Sequence, residues 1–178
     1  YQLSKTGALA LTDHTVYVIS SILKASVSIE VVEKMPWEGS GTQDDPYRIA
    51  TAEDLVALSD YVNAKNVSKD LFLAMTANID LGELSSWTPI GSNSSRQFQG
   101  TFDGQGHTID NLRSASGGLF GYVGVYATIQ NVGVASGEIG SPSSYASFFG
   151  AIAKWSNGAD FINCWNGADV YGGGYTGG

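Results

Sequence analysis

The stretch from Asp103 to His107, Asp-Gly-Gln-Gly-His, is the part of this chain whose residue types best suit chemistry. A carboxylate and an imidazole held between glycines could do acid/base or nucleophilic work on a glycosidic bond if Asp110 supplied a second carboxylate. The same stretch also fits a tight turn, because glycine permits positive φ while Asp and His hydrogen-bond backbone groups. We favour the turn. We expect Asp103 to accept backbone N–H groups and His107 to pack or hydrogen-bond within its own turn, and we predict no catalytic residue.

Neither a metal nor a cofactor is predicted. Zinc would lack ligands, because the chain has one cysteine and two histidines far apart in sequence. Calcium stays open as an alternative, since aspartates offer oxygen ligands, but the residue spacing of the common calcium loops is missing. The candidate aspartates are Asp44, Asp45, Asp80, Asp103 and Asp110. Cys164 is predicted to be a buried structural thiol, because a reactive thiol needs surroundings that stabilise its thiolate.

Residues 117–139 and 146–170 are two copies of one pattern, and together they define the architecture. Gly121, which ends Gly-Leu-Phe-Gly, corresponds to Gly150, which ends Ser-Phe-Phe-Gly, and Asn131 corresponds to Asn163. The interval between the asparagines is slightly longer than the interval between the glycines, which predicts a short insertion near 154–157 in the second copy. A unit this small cannot bury its own apolar face, so the copies must stack on one another.

Each copy consists of short β-branched and aromatic runs separated by Gly, Asn and Ser, which is typical of strands and turns. This pattern predicts a parallel β-helix, with successive coils about 4.8 Å apart. We expect three asparagines to form an amide ladder at one corner of successive coils, with the apolar residue two positions before each one stacked inward. These pairs are Ile109 and Asn111, Ile129 and Asn131, and Phe161 and Asn163.

The repeats resemble the GLUG motif of large bacterial surface proteins, including the N-terminal regions of some IgA-type metallopeptidases. The lead-in is similar too, in residues 37–49, in Trp87-Thr-Pro-Ile-Gly91 and in Phe98-Gln-Gly-Thr-Phe-Asp-Gly104. The resemblance covers residues 37–178 and implies a right-handed parallel β-helix on a secreted or cell-surface protein. It implies no reaction, because the family offers no catalytic residues to carry over.

Two elements precede the coils. Residues 1–36 match nothing in the family and contain two β-rich runs, 15–19 and 25–32, the second alternating apolar and polar residues. A short helix over residues 52–63 is predicted, with Thr51 as its N-cap and with Leu55, Leu58 and Val62 on its apolar face. We expect the helix to cover the open end of the first coil. The predicted domains are therefore an N-terminal segment, 1–36, and a β-helix, 37–178.

Composition limits the partners. The net charge of −8 and a pI near 4.5 argue against nucleic acid and against an anionic membrane. No run of about 18 apolar residues is present, and the family resemblance places any signal or anchor outside this chain. Trp155 and Trp165 are the best candidates for contact with a protein or glycan partner, because aromatic rings bind both.

The function predicted from these features is that of a non-catalytic, extracellular repeat module with a structural or adhesive role. Two alternatives stay open. One is a self-assembling filament or surface-layer subunit that uses residues 1–36 as a donated strand. The other is a glycan-active β-helical enzyme, which would need carboxylates converging in a groove.

Overall fold

The structure is a computed structural model, and it describes residues 35–65, 69–141, 148–172 and 175–177. The predicted strands at 15–19 and 25–32 lie outside the described residues. The described elements are one helix, α1 (Ala52–Ala64), and the strands β1 (Tyr47–Ile49), β2 (Phe72–Met75), β3 (Ile79–Asp80), β4 (Thr101–Asp103), β5 (Thr108–Asp110), β6 (Leu112–Ser114), β7 (Phe120–Val123), β8 (Thr128–Gln130), β9 (Gly133–Val134), β10 (Gly137–Ile139), β11 (Phe148–Gly150), β12 (Ala153–Ser156), β13 (Asp160–Ile162), β14 (Trp165–Asn166), β15 (Asp169–Val170) and β16 (Tyr175–Gly177).

These short strands wind into a parallel β-solenoid of about four turns, as the sequence predicts. Sheet 1 runs β1-β2-β4-β8-β13 and sheet 2 runs β3-β5-β9-β14. Sheet 3 runs β6-β10-β15, sheet 4 pairs β7 with β12, and sheet 5 pairs β11 with β16. Every paired strand is parallel to its neighbour and comes from an adjacent coil. Each sheet therefore extends along the solenoid axis and contains one strand from each successive coil.

Helix α1 begins where local sequence predicts. The Thr51 hydroxyl accepts from the Asp54 N–H at 3.1 Å, and the Asp54 carboxylate accepts from the Thr51 N–H at 3.0 Å. This reciprocal capping box satisfies N–H groups that the first helical turn leaves unpaired. Leu55, Leu58 and Val62 are buried in the core, which confirms the predicted apolar face.

The far part of α1 is fixed to the first coil. The buried Ser59 hydroxyl donates to the Thr88 carbonyl at 2.8 Å, and the Asn63 amide oxygen accepts from Gly91 N and Ser92 N at 3.1 and 2.7 Å. The helix connects β1 to β2, and within the described residues no strand pairs with β3 on its N-terminal side. At this position α1 takes the place of a coil, as the capping prediction expects.

The core is a set of columns parallel to the axis. The column in sheet 1 contains Tyr47, Leu73, Phe102, Ile129 and Phe161, each opposite the next in strand register. Leu73, Phe102 and Ile129 are at most 1% exposed. Stacking like residues in this way buries apolar area that one coil could not bury alone.

The predicted alignment of Gly121 with Gly150 is wrong. Strand register places Phe120 opposite Ala153 and Tyr122 opposite Trp155, a wider interval than the one that separates the two glycines. Gly150 instead lies beside Gly118, where an added Cβ would overlap the Gly150 carbonyl oxygen. The extra residues of the second copy thus precede β12, and β11 pairs with β16 in the next coil.

Candidate functional site

The Asp103 carboxylate lies at the corner between sheets 1 and 2 and accepts four hydrogen bonds. Its donors are the Gln105 N–H at 2.9 Å, the Gln105 side-chain amide at 2.8 Å, the Gln130 amide at 2.7 Å and the Asn131 amide at 3.0 Å. The N–H bond from Gln105 is the backbone contact that the sequence predicts. Three of the four donors are side chains, two of them from the next coil.

Hydrogen bonding lowers the pKa of Asp103. Partial burial raises the pKa of this carboxyl, but the bonds from Asn131, Gln105 and Gln130 outweigh burial and lower the pKa below its ordinary value. A general acid requires the opposite shift. The geometry therefore makes Asp103 an ionised acceptor that ties two coils together.

Asn131 and Asn163 do form the predicted ladder. The Asn163 side-chain N–H donates to the Asn131 oxygen at 3.1 Å, and both residues adopt left-handed backbone, with φ of 52° and 51°. The Asn131 side chain in turn donates to the Asp103 carboxylate, so Asp103 continues the ladder. The sequence did not indicate Asp103 as a member of the ladder. The stacking of Ile129 under Phe161 is also confirmed by strand register.

Asn111 does not belong to this ladder, and this part of the prediction is wrong. It lies at the corner between sheets 2 and 3, where its side chain donates to Asp80 at 2.8 Å and its N–H donates to the Ser136 hydroxyl at 2.9 Å. Ile109 accordingly stacks with residues of sheet 2, Ile79 and Val134. Both corners need a left-handed residue directly after a short strand, so both carry the same local pattern.

The structure separates the remaining chemical groups. The Asp110 carboxylate accepts from the Thr108 and Ser136 hydroxyls at 3.0 and 3.4 Å, and shares no hydrogen-bond partner with Asp103. The His107 side chain bonds outside its own turn, contrary to the prediction: its Nδ1 donates to the Asn78 amide oxygen at 3.1 Å. That oxygen also accepts from the Thr108 N–H.

Metal ligands do not converge in the part of the chain that the structure describes, where no group of three or more His, Cys, Asp or Glu residues could hold an ion. Asp45 lies in an exposed pair with Arg48, at 3.2 Å. Cys164 is half-buried and level with Val132, and burial raises the pKa of its thiol. Its Sγ lies 3.4 Å from the Ile129 carbonyl oxygen.

The two candidate tryptophans lie on different sheets. Trp165, in sheet 2, covers the backbone of Gly133 so closely that a Cβ there would overlap the indole ring. Trp155, in sheet 4, pairs with Tyr122, with ring centroids 6.5 Å apart and planes tilted by 32°. Sequence reasoning missed Tyr122, because only strand register brings it beside Trp155.

The C-terminal coil has an open apolar end. A depression of about 490 Å³ lies there, lined by residues of β11, β12 and the last coil, including Phe149, Phe161 and Cys164. Across the described residues, no helix has the length and apolar character needed to cross a membrane.

Fold and geometry define a parallel β-solenoid repeat module. No protein-family model matches the chain. It is similar to halomucin from Haloquadratum walsbyi, with 32% identity over 150 residues, which is 77% of this chain and 2% of halomucin. It is also similar to the "Putative Gly-rich membrane protein" of Evansella cellulosilytica, with 33% identity over 102 residues, 53% of this chain and 11% of that protein.

A solved structure shares the fold. It is the crystal structure of a "putative immunoglobulin A1 protease" from Bacteroides ovatus, with a TM-score of 0.56 and 20% sequence identity over 75% of this chain and 41% of that one. The chain is thus a β-solenoid with distant homology to short regions of longer proteins.

Proposed function

We propose that this chain is a non-catalytic structural and adhesive repeat module, of GLUG type, in an extracellular protein that is secreted or held at the cell surface. The observation that carries the proposal is the contrast between the middle of the core and its C-terminal end. Exposure in the sheet 1 column rises from 0% at Phe102 and Ile129 to 40% at Phe161. Phe161 has the same inward register as the residues beneath it, and its exposure arises because no described strand pairs with β13 on its other side.

The hydrogen bonding of the last coil supports the same conclusion. Strands β12, β13, β14 and β15 each pair on one side only in the described structure. Open strand edges and half-buried aromatic side chains are features that native proteins cover. One further coil in register would pair these strands and bury Phe161, and could extend the ladder of Asn131 and Asn163. We infer that the strand edges of this coil are the surface on which a repeat module of this kind stacks against further β-structure.

The relatives favour a module of a long polypeptide. The chain spans 2% and 11% of the two curated proteins it matches. One is named halomucin and the other "Putative Gly-rich membrane protein"; the name halomucin supports the extracellular setting proposed here.

The carboxylates support a non-catalytic role. Asp103 is ionised and its oxygens are occupied by four donors, while Asp110 belongs to a different corner. A glycosidase needs two carboxyl groups facing one bond, with one of them able to donate a proton. Asp103 and Asp110 hold coils together instead.

The setting can be tested on cells of the source organism. An antibody against this chain should label intact cells or the medium, and should detect a polypeptide much larger than the 18.7 kDa of this chain on a denaturing gel. Labelling only after permeabilisation, or a band at the mass of this chain alone, would refute the proposal.

Catalysis is tested separately. The chain is incubated with neutral and acidic polysaccharides and assayed for new reducing ends, with an Asp103→Asn variant as control. We expect no turnover. Release that the variant abolishes would establish the glycan-active alternative.

The open end also bears on the filament alternative, since it could receive another subunit. Light scattering over a range of concentrations measures the mass of the full chain. A defined mass supports the module, whereas open-ended growth that is lost on deleting residues 1–36 would establish the filament.

A further inference from the structure

An aromatic pair lies on the outer surface of sheet 4. Phe120 and Val123 of β7 are buried, whereas Tyr122 between them is half-buried. Parallel pairing of β7 with β12 places Trp155 opposite Tyr122, with 48% of the Trp155 side chain exposed. The two rings form a short platform along the solenoid axis.

An open cavity of about 310 Å³ is lined in part by Tyr122 of this platform and by Lys154, the residue before Trp155. Its lining includes the side chains of Tyr122 and Lys154 and three hydroxyl residues, Thr88, Ser92 and Ser116. None of its lining residues is acidic, although the chain carries a net charge of −8. Hydroxyl groups beside an exposed aromatic ring are a combination that can bind a sugar.

Lys154 supplies the charge at this cavity. It is the only Lys or Arg after Arg113 in the sequence. Its ammonium donates to the Ser116 carbonyl at 2.9 Å, which fixes its position and leaves two of its three N–H donors. A compact ammonium acts on an acidic group as a point charge, without the fork geometry of arginine.

We propose that this platform and cavity bind an acidic saccharide. A pyranose ring stacks its C–H face on Trp155, its carboxylate or sulfate pairs with Lys154, and the three hydroxyl residues contact its hydroxyl groups. The inference rests on the proposed adhesive function and names the ligand class.

Titration calorimetry on the full chain tests the proposal with two probes of equal length, a galacturonic acid hexamer and a neutral galactose hexamer. We expect tighter binding of the acidic hexamer. Trp155→Ala should weaken binding of both probes about three- to tenfold, the effect of one aromatic contact. The matched control Trp165→Ala removes another half-exposed tryptophan on sheet 2 and should leave both affinities unchanged.

The contribution of the Lys154 charge to binding is tested by substitution of that residue. Lys154→Gln should reduce the affinity for the acidic hexamer to that for the neutral one, and Lys154→Arg should retain part of the preference. The preference should also shrink with added salt. Thermal unfolding of each variant confirms folding, and Trp155→Phe keeps a stacking ring in case the alanine variant is unstable.

Three results would overturn the proposal: no binding of either hexamer at millimolar concentration, equal losses in Trp155→Ala and Trp165→Ala, or an unchanged acidic preference in Lys154→Gln. Each concerns the ligand alone. The antibody experiment tests the extracellular module independently, so the two proposals can fail separately.

Discussion

Replacing Asp103 should expose how much one carboxylate contributes to coil stacking. In Asp103→Ala, the four donors from Gln105, Gln130 and Asn131 lose their shared acceptor. A hydrogen bond to a charged group contributes about 1.5–3 kcal/mol when it is well shielded. Asp103 is only partly buried, so water replaces much of what is lost, and we expect a total loss of about 2–3 kcal/mol in the free energy of unfolding.

The conservative variant separates charge from shape. Asp103→Asn keeps one acceptor oxygen but points an NH₂ group at neighbouring N–H donors, so we expect a loss of about 1–2 kcal/mol. Urea unfolding measures both variants. With a slope of about 2 kcal/mol per M, a loss of about 2 kcal/mol lowers the midpoint by about 1 M.

The pH dependence follows from the lowered pKa of Asp103. Because the folded pKa lies below the unfolded one, the stabilisation is fully present above the unfolded pKa of about 3.9. It is lost as the pH falls through the folded pKa. The difference between wild type and Asp103→Asn should therefore be full at pH 7 and much smaller near pH 2.

Asp80→Asn is the matched control at the other corner, where the carboxylate accepts from Asn111 and the Gly82 N–H and is more exposed. It should shift the midpoint less than Asp103→Asn. If Asp103→Asn and wild type differ by less than about 0.2 M at pH 7, or keep the same difference at pH 2, the assigned role of Asp103 is incorrect.

Three further predictions concern the ladder, the close approach of coils and the thiol. Asn131→Val should cost about 2–3 kcal/mol, since it loses the ladder and forces a β-branched residue to φ near 51°, whereas Asn131→Gly should cost about 1 kcal/mol; equal midpoints in urea would contradict this. Gly118→Ala should cost at least about 2 kcal/mol, because its Cβ would overlap the Gly150 carbonyl oxygen, whereas Gly177→Ala, with no atom within 4 Å, should lie within about 0.5 kcal/mol of wild type in the same assay. Cys164 should react with iodoacetamide more slowly in the folded than in the urea-unfolded chain at pH 7.5, because its raised pKa leaves little thiolate; a faster reaction in the folded chain would contradict the burial argument.

Features that depend on neighbouring residues could be predicted from the sequence. Helix α1 is one, because Thr51 and Asp54 cap it and its apolar spacing is local. The solenoid class is another, since short strands and turns at a fixed period have few ways to bury apolar surface. The pairing of Asn131 with Asn163 also follows, because the two copies match around these residues.

Features that depend on the register between coils could not be predicted from the sequence. The sequence around Asn111 matches that around Asn131, yet the two residues lie at different corners, because each corner requires the same left-handed turn. Gly121 and Gly150 end similar motifs, but they are not opposite each other in the stacked coils. Strand β12 pairs with β7 so that Ala153, and not Phe149, lies opposite Phe120.

The candidate sites also combine features that neighbouring residues determine with features that register between coils determines. Sequence identified Asp103, His107 and Trp155 as residues to consider, from their types and their glycine or aromatic neighbours. Their partners are distant in the sequence and lie one coil along the axis. The chain itself determined that coils must stack, since no coil can bury its own apolar face. Only the tertiary structure decided which residues meet, because loop lengths between strands set each coil's register, and packing between coils fixes it.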